Sequence, residues 1–375
     1  MNLKLKQFID VYVGKLLLLI NLVLVRGLGL ILSRNHTIDK APKHILVVKI
    51  LGLGSVIMAS DALYSLRIKY PETKFILLCG KGVEIGIKPT KLFDEIWRIN
   101  DRNLFTLITS GYKALFKSWQ LKKLWVVDLE VYSVLTTIFS AWTLAFNRFG
   151  FQLDKTYFRN YLNTHNVYFN QFVRVAINYQ NLVEKMGVSS FLNFSFPSEF
   201  TLPREKKYVA INNTCSELGG NLRKLPDELM VQICKHITQT TPYKIALVGA
   251  PSDKLEIDGF INRSMFEPGT VFNYAGSLNF SDYYRFIGSD CKAMLSIDSA
   301  PLHIAQKLNV PVFSFWGPIS PVQRLTDLTH TYYLKKDCSP CIHHTEVIPC
   351  GGNNVCMKDM KLEDFKHQIN QLLKS

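Results

Sequence analysis

Several features that mark specialised protein classes are missing from this chain or thin in it. Its 8 cysteines are spread over 375 residues, too sparse for a disulfide scaffold. No collagen-like or sustained heptad repeat appears, which excludes a fibrous rod. Charged residues make up only 20% while 47% are hydrophobic and 12% aromatic, which excludes a disordered chain. Only one segment stays apolar for long, so a multi-span membrane protein is excluded as well. No D-x-D pair is placed as a metal binder. The basic residues are spread along the chain with no nucleic-acid motif, so nucleic acid is not an expected partner. What is in excess is positive charge, 44 Lys+Arg against 30 Asp+Glu, or +14. Such a chain attracts anionic lipid or phosphorylated ligands. The length predicts two domains of ~100–200 residues each.

The apolar segment is Val11–Ser33, interrupted by Lys15, Asn21 and Arg26. Its unbroken runs fall short of the ~20 residues of a spanning helix. At ~100° per residue Lys4, Lys15, Arg26 and Ser33 fall within about 40° of each other, a narrow basic stripe on an apolar cylinder. Residues 1–43 hold seven Lys/Arg and two Asp. Residues 1–42 therefore read as a membrane-associated amphipathic helix on an anionic membrane surface. A single span or a helical hairpin packed on the domain behind it are the alternatives. No small-residue cleavage site follows the apolar run, which argues against a signal peptide.

From His44 the pattern becomes α/β. The run 44–50 reads as a strand, Leu51 to Ser55 as a turn carrying Gly52 and Gly54, and the segment through Lys69 as a helix, the opening unit of a doubly wound sheet. Further strands are predicted at 75–79, 95–99 and 124–128. After a linker at 191–206 the rhythm restarts, with strands at 208–212, 244–248, 293–297 and 311–315 and helices at 225–238 and 281–287. Two Rossmann-like domains, 43–190 and 207–360, are expected to face a central cleft. A C-terminal helix at 361–375 should follow.

The most specific string is Asp298-Ser299-Ala300-Pro301-Leu302-His303-Ile304-Ala305, closing a strand and opening a helix, followed by Gly317-Pro318. A helix N-terminus at a sheet edge is an anion site that suits a pyrophosphate. An ordinary N-cap by Asp298 or Ser299 is the competing reading. For His303 the competitor is a packing histidine. Four of the cysteines cluster over 338–356. Cys338 and Cys341 have zinc-knuckle spacing, which Cys350 and Cys356, or His343 and His344, would complete as a structural zinc site. Free thiols and disulfides are the alternatives. The isolated Cys79, Cys215, Cys234 and Cys291 read as core residues.

The 298–305 string resembles the D-[ST]-G-P-x-H-[IL]-A pattern of glycosyltransferase family 9, the lipopolysaccharide heptosyltransferases and their relatives, with Ala300 in place of the usual glycine. Further matches are Lys49 to Gly54 with Ala59 to Leu63, Asn213 to Ser216 with Arg223 to Pro226, Val248-Gly249 and Asn273 to Ser277. The resemblance implies a GT-B fold of two Rossmann-like domains. It also implies metal-independent transfer, without a catalytic cofactor, of a sugar such as heptose from a nucleotide-sugar donor to a lipid-linked saccharide acceptor. The site would be peripheral, on the cytoplasmic face of the bacterial inner membrane. By the same resemblance Ser299, Ala300 and His303 would face the donor diphosphate beside Asp298, with Arg223 or Lys224 neutralising it. Asn213, Ser216, Gly249 and Gly276 would line the nucleotide pocket.

Family members with this first loop carry an acid directly after the last glycine, where this chain has Ser55. A base must reach the acceptor hydroxyl and titrate usefully. Asp61, Asp128 and Glu130 are the available acids. Because 128–130 close a strand at its carboxyl end, Glu130 is the expected base, with Asp128 or Ser55 orienting it; a capping or solvated carboxylate is the alternative. On the acceptor side Arg148, Lys155, Arg159 and His165 would meet phosphates, or form a plain solvated face. A nucleotide-sugar epimerase, or an inactive membrane-associated relative that binds nucleotide sugar, are the competing functions.

Overall fold

The computed structural model describes residues 5, 8–215, 220–325, 330–342, 344–345 and 347–374. The chain divides into two compact units, Met1–Phe194 and Ser195–Ser375. The first runs α1 (Gly14–Leu32), β1 (His44–Val48), α2 (Leu53–Lys69), β2 (Lys74–Gly80), α3 (Lys81–Ile87), β3 (Glu95–Ile99), α4 (Leu104–Trp119), β4 (Leu124–Asp128), α5 (Val134–Trp142), β5 (Asn147–Gln152), α6 (Arg159–Leu162), β6 (His165–Tyr168) and α7 (Val175–Glu184). The second runs β7 (Tyr208–Asn212), α8 (Asp227–Thr240), β8 (Lys244–Leu247), α9 (Lys254–Ser264), β9 (Val271–Asn273), α10 (Phe280–Arg285), β10 (Cys291–Ile297), α11 (Ala300–Lys307), β11 (Val312–Trp316), α12 (Pro321–Arg324), β12 (Thr331–Tyr333), α13 (Val355–Lys358) and α14 (Lys366–Lys374).

Both sheets are parallel and share one topology. The order is β3-β2-β1-β4-β5-β6 in the first and, from its far edge, β9-β8-β7-β10-β11-β12 in the second. The strand order reverses between β1 and β4, and again between β7 and β10. Ligands of open α/β sheets bind outside the carboxyl ends of the strands at such a reversal. The central strands are apolar on both faces, as helices covering both sides require: Ile45 to Val48 and Val126 are fully buried. In the second unit the C-terminal helix and the residue before it complete the core through Phe365, Ile369 and Leu372, each such side chain worth ~1.5–3 kcal/mol.

The predicted strands are all present. Four others, β5, β6, β9 and β12, carry too little apolar signal to be read. Strand β5 contains Arg148 and Gly150, β6 is half-buried, and β9 and β12 are three-residue strands at or next to the sheet edge.

Helix α1 docks through a seam that mixes polar and apolar residues and leaves a second apolar face bare. Together with the turn before it, it forms a continuous apolar helix, Ile9–Leu32, long and apolar enough to cross a membrane by length and composition. Two of its polar residues, Asn21 and Arg26, engage the protein. Asn21 is buried, donating to Leu17 O and accepting from Trp142 Nε1. Gly14 lies where a Cβ would sit 3.0 Å from Val134. Arg26 lies over the Tyr161 ring at 5.0 Å. Just upstream, Asp10 caps α5, accepting from Ser133 Oγ (2.7 Å) and from the Val134 and Leu135 amides (both 3.0 Å). Around Asn21 and Arg26, Leu17, Leu18, Leu22 and Val25 pack against Val134, Ile138 and Leu162, while the opposite face is bare, with Leu19, Val23 and Ile31 67–79% exposed. The seam therefore differs from the predicted basic stripe: Arg26 is engaged in docking, Lys15 is exposed, and Lys4 lies outside the described residues. Asp10→Ala removes three hydrogen bonds from the first turn of α5 and is expected to destabilise the first unit by about 1–2 kcal/mol. A lower thermal midpoint and faster proteolysis within residues 8–33 are the readouts.

Candidate active site

In the first unit the chain leaves β1 through Lys49 to Leu51, and Gly52 takes a left-handed conformation (φ +89°) at the start of α2. A side chain there would be strained, and its Cβ would lie 3.2 Å from Ser55 Oγ. Across the strand reversal, Glu130 reaches this loop from the end of β4. Its Oε2 accepts from Lys49 Nζ at 2.7 Å, and its Oε1 from the amides of Ile50 (2.8 Å) and Leu51 (3.2 Å). Burial works to lower the Lys49 pKa, but the Glu130 carboxylate beside it turns the shift upward, so the ammonium stays charged. Asp128 in turn orients Glu130, accepting its amide at Oδ1 (3.0 Å), while Oδ2 accepts from Thr136 Oγ1 (2.9 Å) and faces Arg159 NH1 at 3.3 Å. Burial pushes the Asp128 carboxyl up to about 6, with Arg159 pulling against it.

Of the three acids, Asp61 accepts from the Phe194 amide. Asp128 and Arg159 are sealed at 0% exposure, whereas the Glu130 side chain keeps 17%. Glu130 is thus the acid that combines a place on the glycine loop with solvent access. Burial likewise removes Arg159 from the acceptor-side cations. His165 leaves the set as well: it stacks on Phe149 at 4.5 Å, and burial, with Lys185, His36 and Arg148 nearby, drops its pKa to about 4.

In the second unit the equivalent reversal brings Asn212, at the end of β7, against the β10–α11 turn. Asn212 Nδ2 donates to Ser299 Oγ at 2.8 Å. Turned this way, the Ser299 side chain makes no cap hydrogen bond, so it leaves the first-turn amides of α11 uncapped. An ordinary Ser299 cap is thereby ruled out. Arg223 NH1 donates to Asp298 O (2.8 Å) and Oδ2 (3.1 Å), and His303 Nε2 lies 3.9 Å from Asp298 Oδ1. Burial alone would raise the Asp298 pKa, but His303, Arg324 and Arg223 together hold it well below the usual carboxylate range. A carboxylate repels a diphosphate, so Asp298 serves by positioning three cationic or donor groups around the turn.

Other predicted residues sit differently. Lys224 pairs with Glu256 at 2.6 Å, away from the Asp298 cluster that holds Arg223. Asn213 exchanges hydrogen bonds with the Leu225 backbone (2.8 and 3.0 Å), bracing the loop on which it was expected to meet nucleotide. Gly276 (φ +67°) packs where a Cβ would lie 2.7 Å from Pro251 Cα, and its amide donates to Gly249 O, so this pair closes the β8 and β9 ends. Ser216 and His343 lie outside the described residues. Two residues escaped sequence reading. Arg324 Nε and the indole N–H of Trp316 are buried without an acceptor among the described residues. Trp316, Arg223 and Asp298 line one shallow depression with Gly317 and Pro318. The signal available was Arg324's position one short turn after the Gly-Pro pair.

The cluster cysteines are all free. Cys356 Sγ packs against Gly317, and Cys341 lies within electrostatic reach of Cys338 and Cys350. Among the described residues, however, no three His, Cys, Asp or Glu are placed to hold a metal ion.

The sequence pattern of glycosyltransferase family 9 (heptosyltransferase) matches residues 152–350. The chain belongs to this family. It is 24% identical over 335 residues, 86% of its length and 96% of the relative's, to lipooligosaccharide heptosyltransferase 2 of Campylobacter jejuni. The fold is shared with a family 9 glycosyl transferase from Veillonella parvula (TM-score 0.70, 17% identity, 91% of this chain and 99% of that one). It is shared too with the E. coli heptosyltransferase WaaC solved with ADP (TM-score 0.65, 14% identity, 88% and 100%). The family 9 chain is a glycosyltransferase built from two GT-B-type Rossmann units, and the epimerase reading falls.

In this family 9 enzyme, Asp298→Asn leaves Arg223 and Arg324 facing a neutral group. It is expected to lower stability by about 3–5 kcal/mol at pH 7. Because the folded carboxyl titrates below its unfolded value of ~3.9, its contribution is present above that pH and is lost as pH falls toward the depressed value. Urea midpoints of wild type and variant should therefore converge below about pH 4.

Proposed function

We propose that this glycosyltransferase moves a heptose from an ADP-activated donor to a lipooligosaccharide core acceptor, on the cytoplasmic face of the bacterial inner membrane. The observation that carries the donor half is the β10–α11 turn, where uncapped amides, Arg223, Arg324 and His303 converge around Asp298. The names of its relatives support heptose, ADP and the lipooligosaccharide. The outward-facing leucines of α1 support the anionic membrane surface.

In the transfer the acceptor hydroxyl attacks the anomeric carbon, and the bond from that carbon to the diphosphate oxygen breaks with its electron pair leaving on the diphosphate. The amides of Ser299 and Ala300 and the two guanidiniums are fixed beforehand, so they stabilise the growing charge without reorganising. Glu130 accepts the acceptor's proton. The three hydrogen bonds it already receives fix its orientation, and a positioned general base contributes ~10²–10⁴ to the rate. Lys224, Asn213, Gly249 and Gly276 shape the nucleotide pocket from behind by holding its loops. A structural zinc rests on the Cys338-x2-Cys341 spacing; elemental analysis giving one equivalent supports it, and metal-free, folded protein removes it.

Glu130→Gln is expected to lower kcat by at least about 100-fold with donor KM nearly unchanged. A raised KM with normal kcat would make Glu130 a positioning residue for the Ile50–Leu51 loop. Arg324→Gln should raise donor KM by about tenfold or more, read from initial rates against nucleotide-sugar concentration.

A further inference from the structure

Helix α1 and the loop after it enclose a pocket of about 110 Å³ in the first unit, which the transfer reaction does not use. Leu24, Leu28 and Leu32 line it with Trp142, and Arg34 and Arg148 line it as well. Arg34 donates to Leu144 O, and Arg148 to Leu162 O and Ala145 O. These carbonyls carry no net charge, and no carboxylate of the described residues pairs with either guanidinium. Burial lowers the Arg148 pKa to about 10, and the facing Arg34 adds to the fall. Two confronted cations with no counter-charge are complementary to an anion. The apolar wall selects among anions. Leu28 and Leu32 are 42–43% exposed and run on into Leu30 and Ile31, which are 79–81% exposed. Inorganic phosphate would leave that wall wet, whereas an acyl chain covers it.

We propose that this pocket binds one anionic glycerophospholipid, its phosphate between Arg34 and Arg148 and one acyl chain along Leu24, Leu28 and Leu32. The inference rests on α1 lying in a membrane surface, because the bilayer supplies the lipid. The bound lipid fastens the C-terminal end of α1 to α5, as Asp10 fastens its N-terminal end.

The test uses the full chain and dihexanoyl phosphatidylglycerol below its micelle concentration, followed by titration calorimetry. One lipid per chain is expected. Arg34→Gln should weaken binding about 10- to 100-fold, as loss of a charge-assisted hydrogen bond does. Gly29→Leu should weaken it at least about tenfold with no change of charge, since Gly29 lines the pocket and a Cβ there meets nothing within 4 Å. Lys15→Gln, on the exposed face, should leave it within about twofold. Equal affinity for dihexanoyl phosphatidylcholine, or for inorganic phosphate, overturns the lipid assignment, as does binding indifferent to Gly29→Leu in a variant with wild-type circular dichroism. Sedimentation with phosphatidylglycerol vesicles separates the two readings. Vesicle binding without short-chain lipid binding overturns the pocket alone. Short-chain binding without vesicle binding overturns the membrane-surface reading and leaves the pocket standing.

Discussion

Everything functional in this enzyme depends on how each sheet is tied across its strand reversal. A parallel sheet ordered 3-2-1-4-5-6 sends the helices after its two central strands to opposite faces, and the loop ends part there. The gap is a binding site only if something holds its lips in register. In the first unit the tie is ionic, Glu130 gripping Lys49 and the Ile50 and Leu51 amides. In the second it is a neutral amide, Asn212 to Ser299. The difference suits the proposed roles. A carboxylate belongs where a proton is to be accepted, and a neutral tie belongs where an anion is to be held.

Each site carries a buried ion pair, Asp128 with Arg159 and Asp298 with Arg223. Buried pairs seldom gain stability over apolar packing of equal volume. Their value here is orientation. Asp128 fixes the Glu130 backbone through an amide, and Asp298 fixes a guanidinium at two points, so the groups proposed to meet substrate are held in place beforehand. The raised carboxyl of Asp128 and the depressed one of Asp298 express the same burial acting with unequal numbers of cations nearby.

The glycine loop, the central strands and the 298–305 string were legible because each is a local pattern: an apolar run, a turn residue, a helix start. The place of Glu130 beside the glycine loop was legible because strand-end position follows from alternation alone. Edge strands were not, since β9 and β12 bury too little to carry a pattern. Asn213 misled for a related reason. A polar side chain on a site loop looks the same in sequence whether it faces ligand or backbone, and here it braces Leu225. Arg324 and Trp316 stay silent in sequence because their significance lies in the company of Asp298, which only the folded chain assembles. The seam of α1 was missed because a polar residue lies at its centre: Asn21 looks like an interruption of a greasy helix and is instead its anchor, flanked by Leu17, Leu18, Leu22 and Val25.

That seam has a consequence for how the protein is made. Helix α1 leaves the ribosome about 100 residues before α5, the surface that receives its Asn21 and Gly14. At roughly 5–20 residues per second this is an interval of about 5–20 s in which the most apolar part of the chain has no protein partner. A bilayer surface can shelter the leucine face during that time and leave the asparagine face turned outward. On the proposed membrane reading, docking of α5 then closes over a helix already in place, and attachment and folding of the first unit form one ordered event.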